Sequence, residues 1–390
     1  MKVSGSQLSP HPDPLPEGEG KTQRLVSLDV FRGLTIAGMI VVNNPGTWDH
    51  VYPPLLHAEW HGWTYTDTIF PFFLFIVGAA MAFSFGRRQE EGGRRTVLLH
   101  TLRRAAVIFA IGMAINFLSV LLFHRAHVRI PGVLQRIAVC FLAAALVYVL
   151  GGKRAVGPAI AVLLFGYWAL MALVPVPGKG VGRLDLDGSF ATYVDRLVLG
   201  EHTWKHDPSW DPEGLVSTLP AIATTLFGLL AGLVLRSDAP MEKRVARLIV
   251  WGWAGALLGL LWNTVLPINK NLWTSSYAVF MSGLAAACLG VCLFLVDERG
   301  WRSPTKPFEW LGTNALFLFV ASDVVTIVLI YVKVAGADGK RRSLYASIYR
   351  SLFDHFADPR LSSLLFALTY CALWIVVAGL LYRKRIFLKA

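Results

Sequence analysis

Long apolar segments recur along most of the chain, and no other feature constrains its fold as strongly. A helix that spans a membrane needs about 20 consecutive, mostly apolar residues. The chain has 390 residues, of which 55% are hydrophobic and 16% are charged, whereas about a quarter of the residues in soluble proteins are charged. This pattern predicts an all-α polytopic membrane protein rather than two or three soluble domains.

We predict about ten transmembrane helices within one domain that covers residues 24–390. The predicted spans are residues 28–43, 67–85, 97–123, 133–150, 155–174, 219–235, 245–265, 274–296, 308–332 and 361–382. Two long polar loops, 175–217 and 336–360, follow spans five and nine. Residues 1–23 contain four prolines and no apolar core, so we predict a disordered cytoplasmic tail rather than a signal peptide.

The distribution of lysine and arginine predicts the orientation of these helices. Basic residues follow spans two, four, six and eight and end the chain, among them Arg87, Lys153, Arg236, Arg299 and Arg383. Because basic loops stay in the cytoplasm, we expect a multi-pass protein of the inner (plasma) membrane with both termini inside. The two long loops then face the periplasm, and the basic residues 340–342 are an exception to the rule.

The charge and the cysteines exclude several classes of partner. Basic loops explain the formal net charge of +12, and we expect no nucleic-acid partner because the sequence has no basic stripe with interleaved aromatic residues. The four cysteines all lie in apolar segments, which favours inert thiols. We expect no metal ion, because His57 and His61 do not form the His-Glu-x-x-His pattern of metalloproteases.

A polar stretch rich in histidine connects the first two spans. It contains Asn43, His57, His61 and Asp67. Such side chains are costly beside a bilayer unless they face a cavity or take part in chemistry. An imidazole suits acid–base catalysis because it ionises near neutral pH. Asp67 begins a helix, where a carboxylate either caps the helix or orients a histidine.

Two more polar clusters open apolar spans on the same predicted side as His57. Their members are Arg129, Gln135 and Arg136 at span four and Asn269, Lys270 and Asn271 at span eight. Polar groups that converge at one depth predict a single site, in which cations bind an anionic group and amides hold a carbonyl oxygen. Each side chain alone could equally anchor a helix at the interface or bridge two helices.

Several motifs follow one another in a fixed order from residue 24 to residue 277. They are RLVSLDVFRG at 24–33, Val42-Asn43, LHAEWHGWT at 56–64, Asp67 with FPFFLF at 70–75, RIPGVLQR at 129–136, DPEGL at 211–215 and NKNLW at 269–273. With these motifs the chain resembles the heparan-alpha-glucosaminide N-acetyltransferase family of transmembrane acyltransferases, in a bacterial form. Trp60-His61-Gly62 departs from the family pattern Trp-Asn-Gly.

The resemblance implies that an acetyl group passes from cytoplasmic acetyl-CoA to the amino group of a terminal glucosamine-type sugar on the periplasmic side. The family's active histidine corresponds to His57 and its essential asparagine to Asn43. In this hypothesis His57 takes a proton from the acceptor amine or briefly carries the acetyl group. Asp67 orients the imidazole, Asn43 or Asn271 donates to the carbonyl oxygen, and Arg32 lies near the CoA nucleotide.

The expected partners are acetyl-CoA as donor substrate, an amino-sugar or glycan acceptor and the lipid bilayer, and a homodimer is left open. The alternative is a membrane transporter or flippase of a sugar or an acyl carrier, because ten spans with polar groups inside the membrane suit that class too. A transporter predicts paired broken helices and an internal repeat.

Overall fold

The computed structural model describes residues 25–206, 209–335, 340–354 and 356–388, with only the backbone for 86–92 and 205–206. The predicted tail 1–23 lies outside the described residues. The elements in chain order are α1 (Val26–Asn43), a 3₁₀ helix (Pro53–Leu55), α2 (Tyr65–Phe123), α3 (Val133–Leu173), α4 (Phe190–Leu199), β1 (Lys205–His206), β2 (Ser209–Trp210), α5 (Thr218–Leu235), α6 (Met241–Trp262), α7 (Ser275–Cys292) with a π-helical end (Leu293–Glu298), α8 (Lys306–Thr313), α9 (Ala315–Tyr331), β3 (Lys333–Ala335), β4 (Arg341–Ser343), α10 (Leu344–Leu352) and α11 (Pro359–Arg383).

This architecture confirms the prediction of an all-α polytopic membrane protein. In the described part of the chain, eight helices are long and apolar enough to span a membrane, and α2 contributes two of them. The bent pair of α8 and α9 would be a ninth. The chain is thus a multi-pass membrane protein, and the difference from the predicted ten spans concerns α3.

Helix α3 joins the fourth and fifth predicted spans. Its 41 residues would be about 60 Å long at 1.5 Å per residue, twice the thickness of the hydrocarbon core. Gly152 interrupts it with a φ of 68°, a backbone conformation that glycine adopts without steric cost. With the two halves counted separately and the bent pair counted once, the described residues contain ten spans at the predicted positions.

The ninth span is not the continuous helix that its hydropathy predicts. Helices α8 and α9 meet at an angle of 83°, because the backbone of Asn314 leaves the helical conformation. The Asn314 amide donates to the carbonyl of Ile386 at 3.0 Å and accepts from the backbone N–H of Leu388 at 2.8 Å. The segment after α11 therefore packs into the break and satisfies the polar groups of the bend.

Close backbone packing fixes α5 beside the first half of α2. A Cβ atom at Gly228 would lie 1.9 Å from the carbonyl oxygen of Phe75, and one at Gly232 would lie 2.4 Å from that of Ala79. Small residues allow this approach in membrane helices. Because both pairs have the same sequence offset, the helices run parallel and begin on the same side. The segment that precedes α5 is thereby held near the start of α2.

The two predicted loops contain regular structure of their own. Loop 175–217 includes α4 and the β1–β2 hairpin, in which Lys205 pairs with Trp210. Loop 336–360 includes β4, which pairs with β3, and the short helix α10. Ser189 and Ser343 begin the two short helices as N-caps, and each side chain accepts a backbone N–H of the first turn.

Candidate active site

The site begins with a buried carboxylate at the start of α2. Asp67 is the third residue of that helix, and its side chain is only 1% exposed. Its Oδ2 accepts the backbone N–H groups of Ala58 and Thr64, both at 3.0 Å, and completes a capping box with Thr64. Its Oδ1 lies 2.6 Å from Nδ1 of His57. One carboxylate therefore caps the helix, folds the loop before it and holds the histidine.

A lysine contacts the same histidine from a different part of the chain. Nζ of Lys270 lies 3.3 Å from both ring nitrogens of His57. Lys270 belongs to a turn before α7 in which Oδ1 of Asn269 accepts the N–H of Leu272 at 2.8 Å. The backbone N–H of Asn269 in turn donates to Oγ1 of Thr274 at 3.1 Å. This local folding presents the ammonium group to the imidazole.

The polar groups lie at a largely apolar cavity between α1, α2, α3 and α9. Together with the open solvent space at its mouth, the cavity has an empty volume of about 610 Å³. Its polar lining comprises Asn43, His57, Thr66, Glu213 and Lys270, and its apolar lining comprises Met39, Val42, Ile69, Phe70, Phe73, Val133, Ile137 and Phe319. The imidazole is half exposed, at 52% of its side chain. An apolar cleft with a few convergent polar groups is typical of a ligand site.

A second cluster of charges lies next to the cavity. Nε and Nη2 of Arg129 donate to the two carboxylate oxygens of Asp211 at 2.8 and 2.6 Å, and Nη2 also donates to Glu213. Burial opposes ionisation of Glu213, but the cations of Arg129, Arg136 and Lys270 outweigh it and lower its pKa. Burial is also the main reason that the pKa of Asp211 is raised, because the bonds to Arg129 offset it only in part.

Arg136 connects this charge cluster to the turn that precedes α7. It is buried in the first turn of α3, and its Nη2 donates to the carbonyl of Gly214 at 3.0 Å and to the hydroxyl of Ser217. Its guanidinium carbon lies 5.1 Å from the ring centroid of Trp273, which is a cation–π distance. Arg136 therefore links the segment before α5 to the turn that carries Lys270.

The charges around Lys270 act on its ionisation in opposite directions. Burial is the largest influence and lowers the pKa of the ammonium group. The carboxylates of Glu213 and Asp67 oppose this change, whereas the guanidinium groups of Arg136 and Arg129 reinforce it. The net result is a lysine that gives up its proton more readily than an exposed one.

Known proteins resemble this chain in sequence. The family described as "Heparan-alpha-glucosaminide N-acetyltransferase, catalytic" matches residues 24–187. Over 422 aligned positions the chain is 29% identical to heparan-alpha-glucosaminide N-acetyltransferase of Homo sapiens and 28% identical to that of Mus musculus. The alignments cover 94% of this chain and 60% of each relative. The chain is similar to the two relatives along most of its own length. It spans about 60% of the length of the two curated relatives.

The residues that meet at the cavity come from inside and from beyond the range that the family model matches. Asn43, His57 and Asp67 lie within residues 24–187, and Lys270 lies beyond them. Three of these four line the cavity, and Asp67 supports His57 from behind. These are four of the ten residues that the sequence nominated for the site.

Two nominated residues lie elsewhere in the structure. Arg32 is in α1, about 16 Å along the helix from Asn43 at 1.5 Å per residue, and donates to Asp29 at 2.9 Å and to the carbonyl of Gly312 at 3.2 Å. Gln135 packs its amide against the backbone of α2, where a Cβ at Gly112 would lie 2.5 Å from its Oε1. Gln135 therefore fills a helix–helix contact instead of lining the cavity.

The remaining nominated residues shape the surroundings of the cavity. Arg129 and Arg136 belong to the charge cluster, and Asn269 folds the turn that carries Lys270. Asn271 is half-buried in the same turn and is outside the cavity lining. The second histidine, His61, lies 3.4 Å from the amide of Asn269 and also stays outside the lining.

Sequence reasoning gave no role to Glu213 or Thr66, which both line the cavity. Glu213 lies in the DPEGL motif at 211–215, which carries part of the family resemblance. The available signal was a pair of acidic residues two positions apart, directly before an apolar span. It could not indicate that both carboxylates bind Arg129, or that of these two only Glu213 also lines the cavity.

Proposed function

We propose that this protein is a transmembrane acetyltransferase that moves an acetyl group from acetyl-CoA to the amino group of a terminal glucosamine-type sugar. The match of residues 24–187 to the catalytic family model supports the reaction class, and the names of the two similar proteins support the sugar. The observation that carries the proposal is the imidazole of His57, which is bound to a buried carboxylate and opens into an apolar cavity.

The His57–Asp67 pair suits acyl transfer. When Nδ1–H donates to Asp67, Nε2 keeps its lone pair and is available to the substrates. His57 then takes the proton from the acceptor amine. At the same time the amine nitrogen forms the new C–N bond and the C–S bond of the thioester breaks. Alternatively, Nε2 attacks the thioester first and the acetyl-imidazole passes its acetyl group to the amine. Both routes use the same ring atom.

The apolar cavity suits the donor and the polar cluster suits the reacting carbonyl. In this proposal the pantetheine arm of acetyl-CoA lies between apolar helices, and its nucleotide lies at the end of α1 that carries Arg32. The amide of Asn43 lines the cavity and can donate to the thioester oxygen as negative charge develops there. In this arrangement acetyl-CoA enters from the cytoplasm, the acceptor arrives at the periplasmic face of the inner membrane, and both termini are cytoplasmic.

The test is acetyl transfer by the purified protein from labelled acetyl-CoA to glucosamine. His57→Ala should reduce turnover by about 1,000-fold or more, because base and nucleophile are both removed. His61→Ala is the matched control, since that ring lies outside the cavity lining, and it should retain turnover within about threefold. Both variants should still be stabilised by CoA in a thermal-shift assay. Wild-type turnover by His57→Ala would contradict the proposed role of the histidine.

A transporter or flippase is the alternative, and the break between α8 and α9 is the observation that favours it. The amide at that break is bound to the segment after α11, which fits a structural joint better than an ion or substrate site. The thermal-shift assay distinguishes the two functions. Stabilisation by amino sugars together with no response to acetyl-CoA or CoA would favour transport.

A further inference from the structure

Lys270 is the only lysine that lines the cavity among the residues the structure describes. Its Nζ is as close to Nε2 of His57 as to Nδ1, at 3.3 Å each. Because Nδ1 is already bound to Asp67, the ring atom left for exchange with the lysine is Nε2. The ammonium group thus contacts the atom at which the transfer chemistry takes place.

The surroundings keep this ammonium group reactive instead of locking it in an ion pair. Glu213 lines the same cavity, but its carboxylate is bound to Arg129. The two carboxylate oxygens of Asp67 are bound to His57 and to two backbone N–H groups. Burial, reinforced by Arg129 and Arg136, lowers the pKa of Lys270 against the pull of the two carboxylates. An amine in such a setting is suited to proton transfer.

We propose that Lys270 protonates the sulfur of the departing CoA and recovers its proton directly from His57. The inference rests on the proposed acetyltransferase function. The acceptor amine gives a proton to Nε2 of His57 as its C–N bond forms. The C–S bond breaks, and the sulfur takes its electron pair and a proton from Nζ of Lys270. The imidazolium then passes its proton to the neutral lysine across the 3.3 Å contact. The net result is one amide and one CoA thiol, with His57 and Lys270 restored.

This role differs from that of a fixed positive charge that only binds an anionic group of the substrate. A thiol ionises near pH 8.5 and an ordinary lysine near pH 10.4, so a lysine with a lowered pKa is better matched to the leaving sulfur. Arginine keeps the charge but does not release a proton at physiological pH. Lys270→Arg therefore separates the two roles.

The experiment measures kcat and KM for acetyl-CoA in the wild type, Lys270→Arg and Lys270→Met, with glucosamine as acceptor. Lys179→Arg is the matched control, because Lys179 forms an ion pair with Asp187 outside the cavity and should retain wild-type kcat. General acid catalysis contributes about 100- to 10,000-fold, so both Lys270 variants should lose at least about 100-fold in kcat. KM should stay within threefold, roughly the spread expected when no binding contact is lost. Melting temperatures verify that the variants fold.

The outcomes decide between the roles. A loss of kcat in Lys270→Arg below about tenfold overturns the proposal, since a general acid is worth more than that. So does a raised KM with unchanged kcat, which would assign Lys270 to charge-based binding. Where the wild type accepts an aryl thioacetate, whose leaving group needs no proton, that donor should lose far less in Lys270→Arg; an equal loss with both donors also overturns it. A wild-type protein that transfers no acetyl group refutes the proposed function itself.

Discussion

Two charged clusters lie side by side, one in the segments before α3 and α5 and the other at the start of α2 and in the turn before α7, and they differ in how their charges are paired. In the first cluster, which consists of Arg129, Asp211 and Glu213, the carboxylates are 0% and 6% exposed and meet the arginine in direct hydrogen bonds. In the second cluster, which consists of His57, Asp67 and Lys270, only the carboxylate is equally buried, and the imidazole is 52% exposed. In the first cluster only Glu213 reaches the cavity lining, whereas in the second cluster both His57 and Lys270 line the cavity.

The difference shows that a membrane protein can use charged groups, whose burial is energetically costly, in two ways. Buried charges are tolerated when each has a partner, and removal of one partner is costly. The first cluster therefore acts as a framework for the segment before α5. In the second cluster His57 and Lys270 line the cavity, and only one of the three side chains, that of Asp67, is fully buried. Glu213 connects the two clusters, because it binds Arg129 and also lines the cavity beside His57 and Lys270.

The largest expected effect on turnover is at Asp67, the buried carboxylate of the second cluster. In Asp67→Asn the amide can still accept the backbone N–H groups, but its NH₂ group would favour the wrong tautomer of His57. We expect kcat to fall by about three to four orders of magnitude. Thr64→Ala is the control: it loses the other half of the capping box, costs about 1 kcal/mol of stability and should keep turnover. Equal turnover of Asp67→Asn and the wild type would show that the carboxylate only caps α2.

The framework role of the first cluster predicts a loss of stability instead of chemistry in Arg129→Met. Two buried carboxylates would lose their cation, which should cost about 3–5 kcal/mol in the free energy of unfolding. Denaturation in detergent measures this loss. Adding Asp211→Asn and Glu213→Gln to Arg129→Met should restore part of the stability, because the unpaired charges are then removed. An unchanged melting temperature in Arg129→Met would show that the cluster is not a framework.

Neighbouring asparagines at the end of α1 sharpen the same distinction. Asn43 lines the cavity, and Asn43→Ala should reduce kcat by about 100- to 1,000-fold if its amide stabilises the oxyanion. Asn44 donates to the carbonyl of Ile40 at 2.8 Å and accepts from Thr326 at 2.6 Å. Asn44→Ala should therefore lose about 1–3 kcal/mol of stability and keep kcat in the folded fraction. The reverse pattern would contradict the assignment of the two side chains.

The smallest expected effect concerns pH and the carboxyl of Asp195 in α4. Burial raises its pKa to about 7, and Asp211 adds to this rise, although the N–H of Leu215 and Arg136 oppose it. Between about pH 4 and this value the folded protein holds a proton that the unfolded chain has lost. Its contribution to stability is therefore present at low pH and declines as the pH rises through this window.

Asp195→Asn should remove that contribution, and the difference in melting temperature between variant and wild type, measured from pH 4.5 to 8, isolates it from other groups. Asp185→Asn is the control in the same segment between α3 and α5, because the side chain of Asp185 is 45% exposed and its pKa is lowered by Arg183. If the melting temperatures of Asp195→Asn and the wild type change with pH in the same way, this carboxyl is ionised throughout the range.

Hydropathy predicted most of the helices because the bilayer requires about 20 apolar residues per span whatever the neighbours are. It could not predict the bend at Asn314, because composition does not encode a backbone angle that depends on the segment 386–388. Gln135 shows the same limit at the site. As a polar residue at the start of a span it looked like a ligand group, but its amide meets the backbone around Gly112.

The sequence by itself determined the class of protein, the positions of its helices and the neighbourhood of His57 and Asp67, which are ten residues apart and meet through a helix cap. These features follow from local chemistry and from the solvent that surrounds the chain. Only the tertiary structure decided that Lys270, 213 residues from His57, contacts the imidazole and that Glu213 faces the same cavity. The parallel packing of α5 on α2 and the turn before α7 bring them there, because contacts between distant segments depend on how whole helices pack.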